Sequence, residues 1–150
     1  MIIRKAKLKD LKFINQLDKE SVAYHKRLNK KFYTLSKTDW NIKIKSQKRA
    51  TSNPNHIILV VEKNKKIIGY VWIAKGIKKC IIQELVISKD FRIKGIGKKL
   101  IKKGLNLLKR RGYKIFEVKV LTKNKEAIKF YKKIGFKYKN KSKIFSTFIF

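Results

Sequence analysis

Apolar and polar positions change period several times along the chain, and each change marks an element. Residues 1–7 alternate weakly and predict a first strand. From 8 to about 28, apolar and aromatic residues return at Leu11, Ile14, Leu17, Val22 and Tyr24, close to helical spacing. Residues 29–36 read as irregular. Thr38 and Asp39 offer N-caps to a second helix, 40 to about 49, with Trp40 and Ile44 on one face. The stretch 52–55 holds the only proline, Pro54, and predicts a loop.

The period then shortens. Residues 56–63 and 67–75 predict two strands joined by a hairpin loop at 64–66, and 80–88 a third strand after a turn at 76–79. Residues 97–111 predict a helix about 22 Å long. Gly112 suits its C-terminal stop, and Lys109, Arg110 and Arg111 suit the negative end of its dipole. A strand at 114–121, a helix at 124–134 stopped by Gly135, and closing strands at 136–139 and 144–150 complete the chain. The order β-α-α-β-β-β-α-β-α-β-β predicts an α/β (α+β mixed sheet) fold in one domain, 1–150. It holds an antiparallel meander, a crossover helix and a parallel neighbour. The apolar last strand either finishes this sheet or pairs across a homodimer.

Composition excludes several classes. An apolar content of 43% argues against disorder. A single cysteine, Cys80, forms no internal disulfide, and His25 and His56 lack ligand spacing, so no metal site is expected. The longest apolar run, 67–74, is far short of a membrane span, and no signal-peptide core follows Met1, so a cytoplasmic protein is expected. Lys and Arg total 42 against 9 acids, a net charge of +33. AT-rich codon usage accounts for abundant lysine but not for the shortage of acids. A surface this basic implies steering toward a polyanion such as RNA or the ribosome, or toward acidic acceptors.

The stretch 84–100 concentrates the candidate chemistry. A buried strand feeds Arg92-x-x-Gly95-x-Gly97 and then a helix, which is a phosphate cradle. Glycines let several backbone N–H groups converge, and the helix dipole adds partial positive charge. Lys94, Lys98 and Lys99 add full charges. A P-loop is excluded because Lys99 stands where a Ser or Thr hydroxyl is needed, and a dinucleotide fingerprint because Leu100 stands where the third glycine belongs.

Arg92-x-x-Gly95-x-Gly97 resembles the acyl-CoA signature of the GCN5-related N-acetyltransferase (GNAT) superfamily. Asn124-x-x-Ala127-x-x-x-Tyr131-x-x-x-Gly135-Phe136 resembles that family's second signature. The two occur in the family's order with a strand between, and the element order resembles the family along essentially the whole chain. The resemblance implies an acetyl-CoA-dependent N-acetyltransferase acting by direct attack of an amine. It implies that Val86 and Ile87 offer backbone groups to the pantetheine arm, and that Arg92, Lys94, Gly95, Ile96, Gly97 and Lys98 hold the pyrophosphate. Asn124 contacts the arm from the other side. Tyr131 serves as general acid to the departing thiolate, and Glu84 as base. Some of these residues have a plainer counterpart: Tyr131 as a core tyrosine, Glu84 as a partner for one of many cations, Gly135 and Phe136 as a helix stop and a core aromatic.

The family builds its acceptor site between the first two helices, where Tyr24, Tyr33 and Trp40 are substrate-binding candidates. So basic a protein repels free polyamines and favours a protein N-terminus or a small amine with acidic groups, unless a local acidic pocket opposes this. The alternative function is a basic module docking RNA or the ribosome on the same fold. Interleaved aromatics on a basic strand would favour it, but Tyr113, Phe116 and Tyr138 fall where core residues are expected.

Overall fold

The structure, a computed structural model, describes residues 1–92 and 94–150. In chain order the elements are β1 (Ile2–Lys5), a 3-10 turn (Leu8–Asp10), α1 (Leu11–Leu28), α2 (Lys30–Tyr33), α3 (Lys37–Ser52), β2 (His56–Lys63), β3 (Lys66–Lys75) and β4 (Lys79–Ile87). A second 3-10 turn (Lys89–Phe91), α4 (Ile96–Lys109), β5 (Ile115–Leu121), α5 (Lys125–Lys133), β6 (Lys137–Lys141) and β7 (Phe145–Ile149) follow. The strands form one sheet in the order β1-β2-β3-β4-β5-β7-β6. It is antiparallel except for the β4–β5 pair. The mixed sheet expected from the sequence is therefore present, and no helix is long and apolar enough to cross a membrane among the described residues.

Local differences from the pattern have local causes. The stretch read as irregular contains α2, one turn capped by the Asn29 side chain, which accepts from Phe32 N–H at 3.1 Å. Helix α3 starts earlier than expected. Ser36 is its N-cap, and Asp39 bonds back to the Ser36 N–H at 2.8 Å, completing a capping box. Strand β7 lies between β5 and β6 and is paired on both sides, so it offers no edge to a second copy. The edge on that side is β6, exposed throughout and bearing Lys137, Lys139 and Lys141, which discourages further pairing. Tyr138, expected in the core, is exposed there.

Two apolar layers cover the sheet. Helix α4 buries Ile96, Leu100, Ile101, Leu105 and Leu108 against Leu59, Val71 and Ile73 on one face. Gly104 allows the close approach: a Cβ there would meet Ile73 Cδ1 at 2.7 Å. The other face packs Ile58, Val60, Tyr70 and Val86 against Ile14 and Leu17 of α1 and Ala50 of α3.

Strand β4 controls what reaches the site. Its register with β3 slips by one residue: Trp72 faces Glu84 while Ile73 faces Ile82, leaving Gln83 as a bulge. Strict alternation would put Gln83 with Leu85 and Ile87. Instead Cys80 and Ile82 lie on the α4 side before the bulge, and Leu85 and Ile87 return to that side after it. Val86 points to the α1–α3 side. Pairing with β5 covers only Lys79 to Ile82. Past the bulge the two parallel strands part.

Candidate active site

The parting of β4 and β5 opens a cavity of about 220 Å³. One wall is Ile82 to Val86 of β4, and the opposite wall is Val118 to Leu121 of β5. Asp18 and His25 of α1, Tyr33 of α2, Lys43 of α3, and Asn124 and Tyr131 at α5 close the rest. Of the residues singled out in the sequence, Glu84, Val86, Asn124, Tyr131 and Tyr33 meet around this space.

Tyr131 is buried, its ring edge-on to Phe130 and Phe136 at centroid distances of 5.1 and 5.3 Å. Among the described residues no group hydrogen-bonds its hydroxyl, and burial pushes its pKa up, so it is a protonated phenol. Asn124 is the N-cap of α5, its Oδ1 accepting from Ala127 N–H at 3.1 Å. That bond consumes the side-chain carbonyl and leaves the amide nitrogen, which faces His25 Nε2 at 3.4 Å. His25 Nδ1 lies 2.8 Å from the Ser21 carbonyl, which can only accept, so Nδ1 carries the proton and Nε2 is the acceptor. Burial lowers the His25 pKa and keeps the ring neutral. Its ring stacks on Tyr33 at 4.9 Å.

Glu84 is not a surface partner for a stray cation. Its Oε1 accepts from the Lys43 ammonium and its Oε2 from the Tyr70 hydroxyl. Tyr70 is fully buried, and its hydroxyl also lies on Asp18 Oδ1. Asp18, 1% exposed, accepts at Oδ2 from Gln47 Nε2 at 2.6 Å, with Lys43 Nζ 3.7 Å from the same oxygen. Burial first, and the Glu84 charge second, push the Asp18 pKa up to about 6. Sequence reading did not reach Asp18, Tyr70, Lys43 or Gln47. Asp18 left a trace, since it lies four residues after Ile14 on the buried face of α1.

The glycine loop lies where β4 ends. Gly95 is the α4 N-cap with φ +71°, a left-handed conformation natural to glycine, and Lys99 N–H bonds its carbonyl at 3.1 Å. Gly97 faces α5: a Cβ there would stand 3.3 Å from Phe130 and 3.6 Å from Leu85. Ile96 buries its side chain in the core, leaving its backbone for any ligand. Arg92 turns back, donating from Nε to the Ile87 carbonyl at 3.2 Å, with its guanidinium 5.3 Å from the Tyr24 ring. Lys94 sits over Phe91 at 5.4 Å, and Lys98 is exposed. Tyr24 thus braces Arg92 and, at 3.3 Å, Glu126. Trp40, one turn before Lys43 on α3, does not line the cavity. The described residues hold no cluster of metal-ligating side chains.

The model of the acetyltransferase (GNAT) family matches residues 11–136. The chain belongs to the acetyltransferase (GNAT) family. It is 41% identical over 87 residues to an uncharacterized N-acetyltransferase of Methanocaldococcus jannaschii, a match covering 53% of this chain but only 38% of that protein. The PaiA N-acetyltransferase of Thermoplasma acidophilum, crystallised with coenzyme A, superimposes with a TM-score of 0.80 at 21% identity, over 99% of this chain and 96% of that one. A ribosomal-protein-alanine N-acetyltransferase of Brucella melitensis gives 0.79 at 15% identity, over 100% and 99%. These two likenesses are of fold.

Proposed function

We propose that the chain is an acetyl-CoA-dependent N-acetyltransferase that moves an acetyl group to a primary amine, a protein N-terminus or a small amine, by direct attack. The observation that carries this reading is that Glu84 and Tyr131 line one cavity at the split between β4 and β5. A base and a neutral phenol facing a shared space are what an amine and a thioester need.

Acetyl-CoA enters as substrate. The first-turn N–H groups of α4, with Gly95, Gly97 and the charges of Lys94 and Lys98, hold the pyrophosphate. Past Ile82 the β4 backbone no longer pairs with β5, so the Val86–Ile87 stretch meets the pantetheine arm with the Ile87 N–H, while the Ile87 carbonyl already accepts from Arg92 Nε. One N–H there polarises the thioester carbonyl as an oxyanion donor. Asn124 meets the arm through its amide nitrogen. Glu84 takes the proton of the acceptor ammonium, the free amine attacks the carbonyl carbon, and the C–S bond breaks. Tyr131 gives its proton to the departing thiolate, and its oxygen regains one as the attacking nitrogen loses its second N–H proton to become the amide.

Holding the two reactants in line is the main task of such a site. The remaining one is deprotonation. An α-amino group, with pKa about 7.7–8.0, is roughly one-tenth neutral at pH 7, and a lysine only about 0.04%. A single carboxylate therefore serves a protein N-terminus more readily. That the Brucella relative is named for an alanine of a ribosomal protein supports the same preference. The local charge moderates it: Asp18 and Glu84 make the cavity less hostile to cations than the +33 surface.

A thermal-shift titration with coenzyme A and acetyl-CoA tests the first half, and mass spectrometry of an acceptor panel tests the second. The panel holds peptides with free N-termini, small amines bearing acidic groups, and spermidine. Stabilisation by acetyl-CoA with mass gains of one acetyl group on the N-terminal peptides is expected. Absence of both stabilisation and transfer removes the reading.

A further inference from the structure

The chain has only nine acidic residues, yet two of them meet at one buried hydroxyl. Tyr70 has a single proton, and two ionised carboxylates cannot both accept it. Both contacts become hydrogen bonds only when one carboxyl carries a second proton: that carboxyl donates to the phenol oxygen, and the phenol donates to the other. The trio of Asp18, Tyr70 and Glu84 is therefore built to hold either one proton or two.

We propose that Asp18 and Tyr70 act through Glu84 as a proton relay, with Asp18 the final holder of the proton that the acceptor amine loses. This rests on the acetyltransferase reading above. The acceptor's N–H bond breaks and Glu84 gains that proton. Glu84 then passes a proton to the Tyr70 oxygen while Tyr70 passes its own to Asp18 Oδ1. One proton leaves the amine, one O–H bond is gained at Asp18, and Glu84 and Tyr70 end as they began. Tyr131 separately supplies the thiolate.

The surroundings fit a group that changes state. Asp18 is the more buried carboxyl, so the neutral form is favoured there, and its raised pKa agrees. Gln47 suits both states. Its Nε2 donates to ionised Asp18, while its Oε1 is buried with no partner among the described residues. Turning the amide presents that oxygen to a protonated Asp18. The charged or titratable groups facing the pair are few: Lys43 from α3 against both carboxyls, and His25 from α1 and Tyr33 from α2 near Glu84. Lys43 stays between the carboxyls as their counter-ion.

The test has two arms. In the first, kcat and kcat/KM are measured against pH for the panel amine that turns over fastest. The wild type shows an acid limb near pH 6. Tyr70→Phe keeps the ring, lowers kcat roughly tenfold or more, leaves the KM for acetyl-CoA unchanged and moves the acid limb. Asp18→Asn also moves it. In the second arm, carboxyl 13C NMR of aspartate-labelled protein follows Asp18 without turnover. It titrates apart from the other aspartates, and its midpoint shifts in Tyr70→Phe. A Tyr70→Phe enzyme with kcat within twofold of wild type and the same acid limb overturns the relay. So does an Asp18 carbon that titrates with the exposed aspartates, a result readable even if Asp18→Asn does not fold. A wild type that acetylates no panel amine and is not stabilised by acetyl-CoA is a different failure: it removes the acetyltransferase reading, and the relay with it.

Discussion

The two faces of the sheet do different work. Under α4 the buried layer is apolar almost throughout, from Leu59, Val71 and Ile73 to Leu100 and Leu108. Under α1 and α3 the apolar layer is interrupted by Tyr70, with Asp18 and Gln47 buried beside it. Burying polar groups costs stability unless each finds a partner. The α1–α3 face accepts that cost within reach of the cavity, and the α4 face does not. The contrast shows which half of the molecule holds the fold together and which half is shaped for chemistry.

Substitutions separate the halves. The largest stability loss is expected from Leu100→Ala on the α4 face, since Leu100 is fully buried. It costs about 3–5 kcal/mol in denaturant unfolding, with no change in the acid limb of the rate profile. Tyr131→Phe does the opposite. It lowers kcat by roughly 100-fold or more while unfolding and the KM for acetyl-CoA stay near wild type, because the hydroxyl bonds no group among the described residues. Unchanged turnover would remove the general-acid role.

Asp18→Asn tests the polar face by pH. A carboxyl raised from the ordinary 3.8 to about 6 in the folded state binds its proton more tightly there than in the unfolded chain. Its contribution is therefore most favourable below pH 4 and is lost as pH rises through 6. A shift of this size corresponds to about 3 kcal/mol. The asparagine variant should lack that fall, so it gains on wild type between pH 4 and pH 8 in unfolding curves. Gly97→Glu, the smallest of these effects, removes the stabilisation by acetyl-CoA, about 2.7 kcal/mol at one hundred times Kd. A thermal shift that survives this substitution would separate the glycine loop from cofactor binding.

Much of this was legible before any coordinates. Period and punctuation locate the strands and the long helices, because core burial imposes a repeat on the chain, and the resemblance to the family's two signatures adds the glycine loop and the Asn124–Phe136 stretch. Three features escaped. The Gln83 bulge inserts one residue into an otherwise regular strand, and alternation has no means of flagging it. Helix α2 is a single turn held by the Asn29 cap, too short for a period. Asp18, Tyr70 and Glu84 are far apart in sequence, and only sheet register and helix packing bring them together. Tyr138 failed for another reason: on an edge strand beside lysines, an aromatic need not face inward.

Gly104 has a longer reach than its size suggests. Because a methyl group there would strike Ile73, the middle of α4 rests directly on β3, and the first turn of the same rigid rod carries Gly95 and Gly97. The height of the glycine loop above the sheet is thus set from seven residues past Gly97, by one missing side chain. On the acetyltransferase reading proposed above, a larger residue at position 104 would tilt the whole helix and be felt as altered acetyl-CoA affinity at a distance from the ligand.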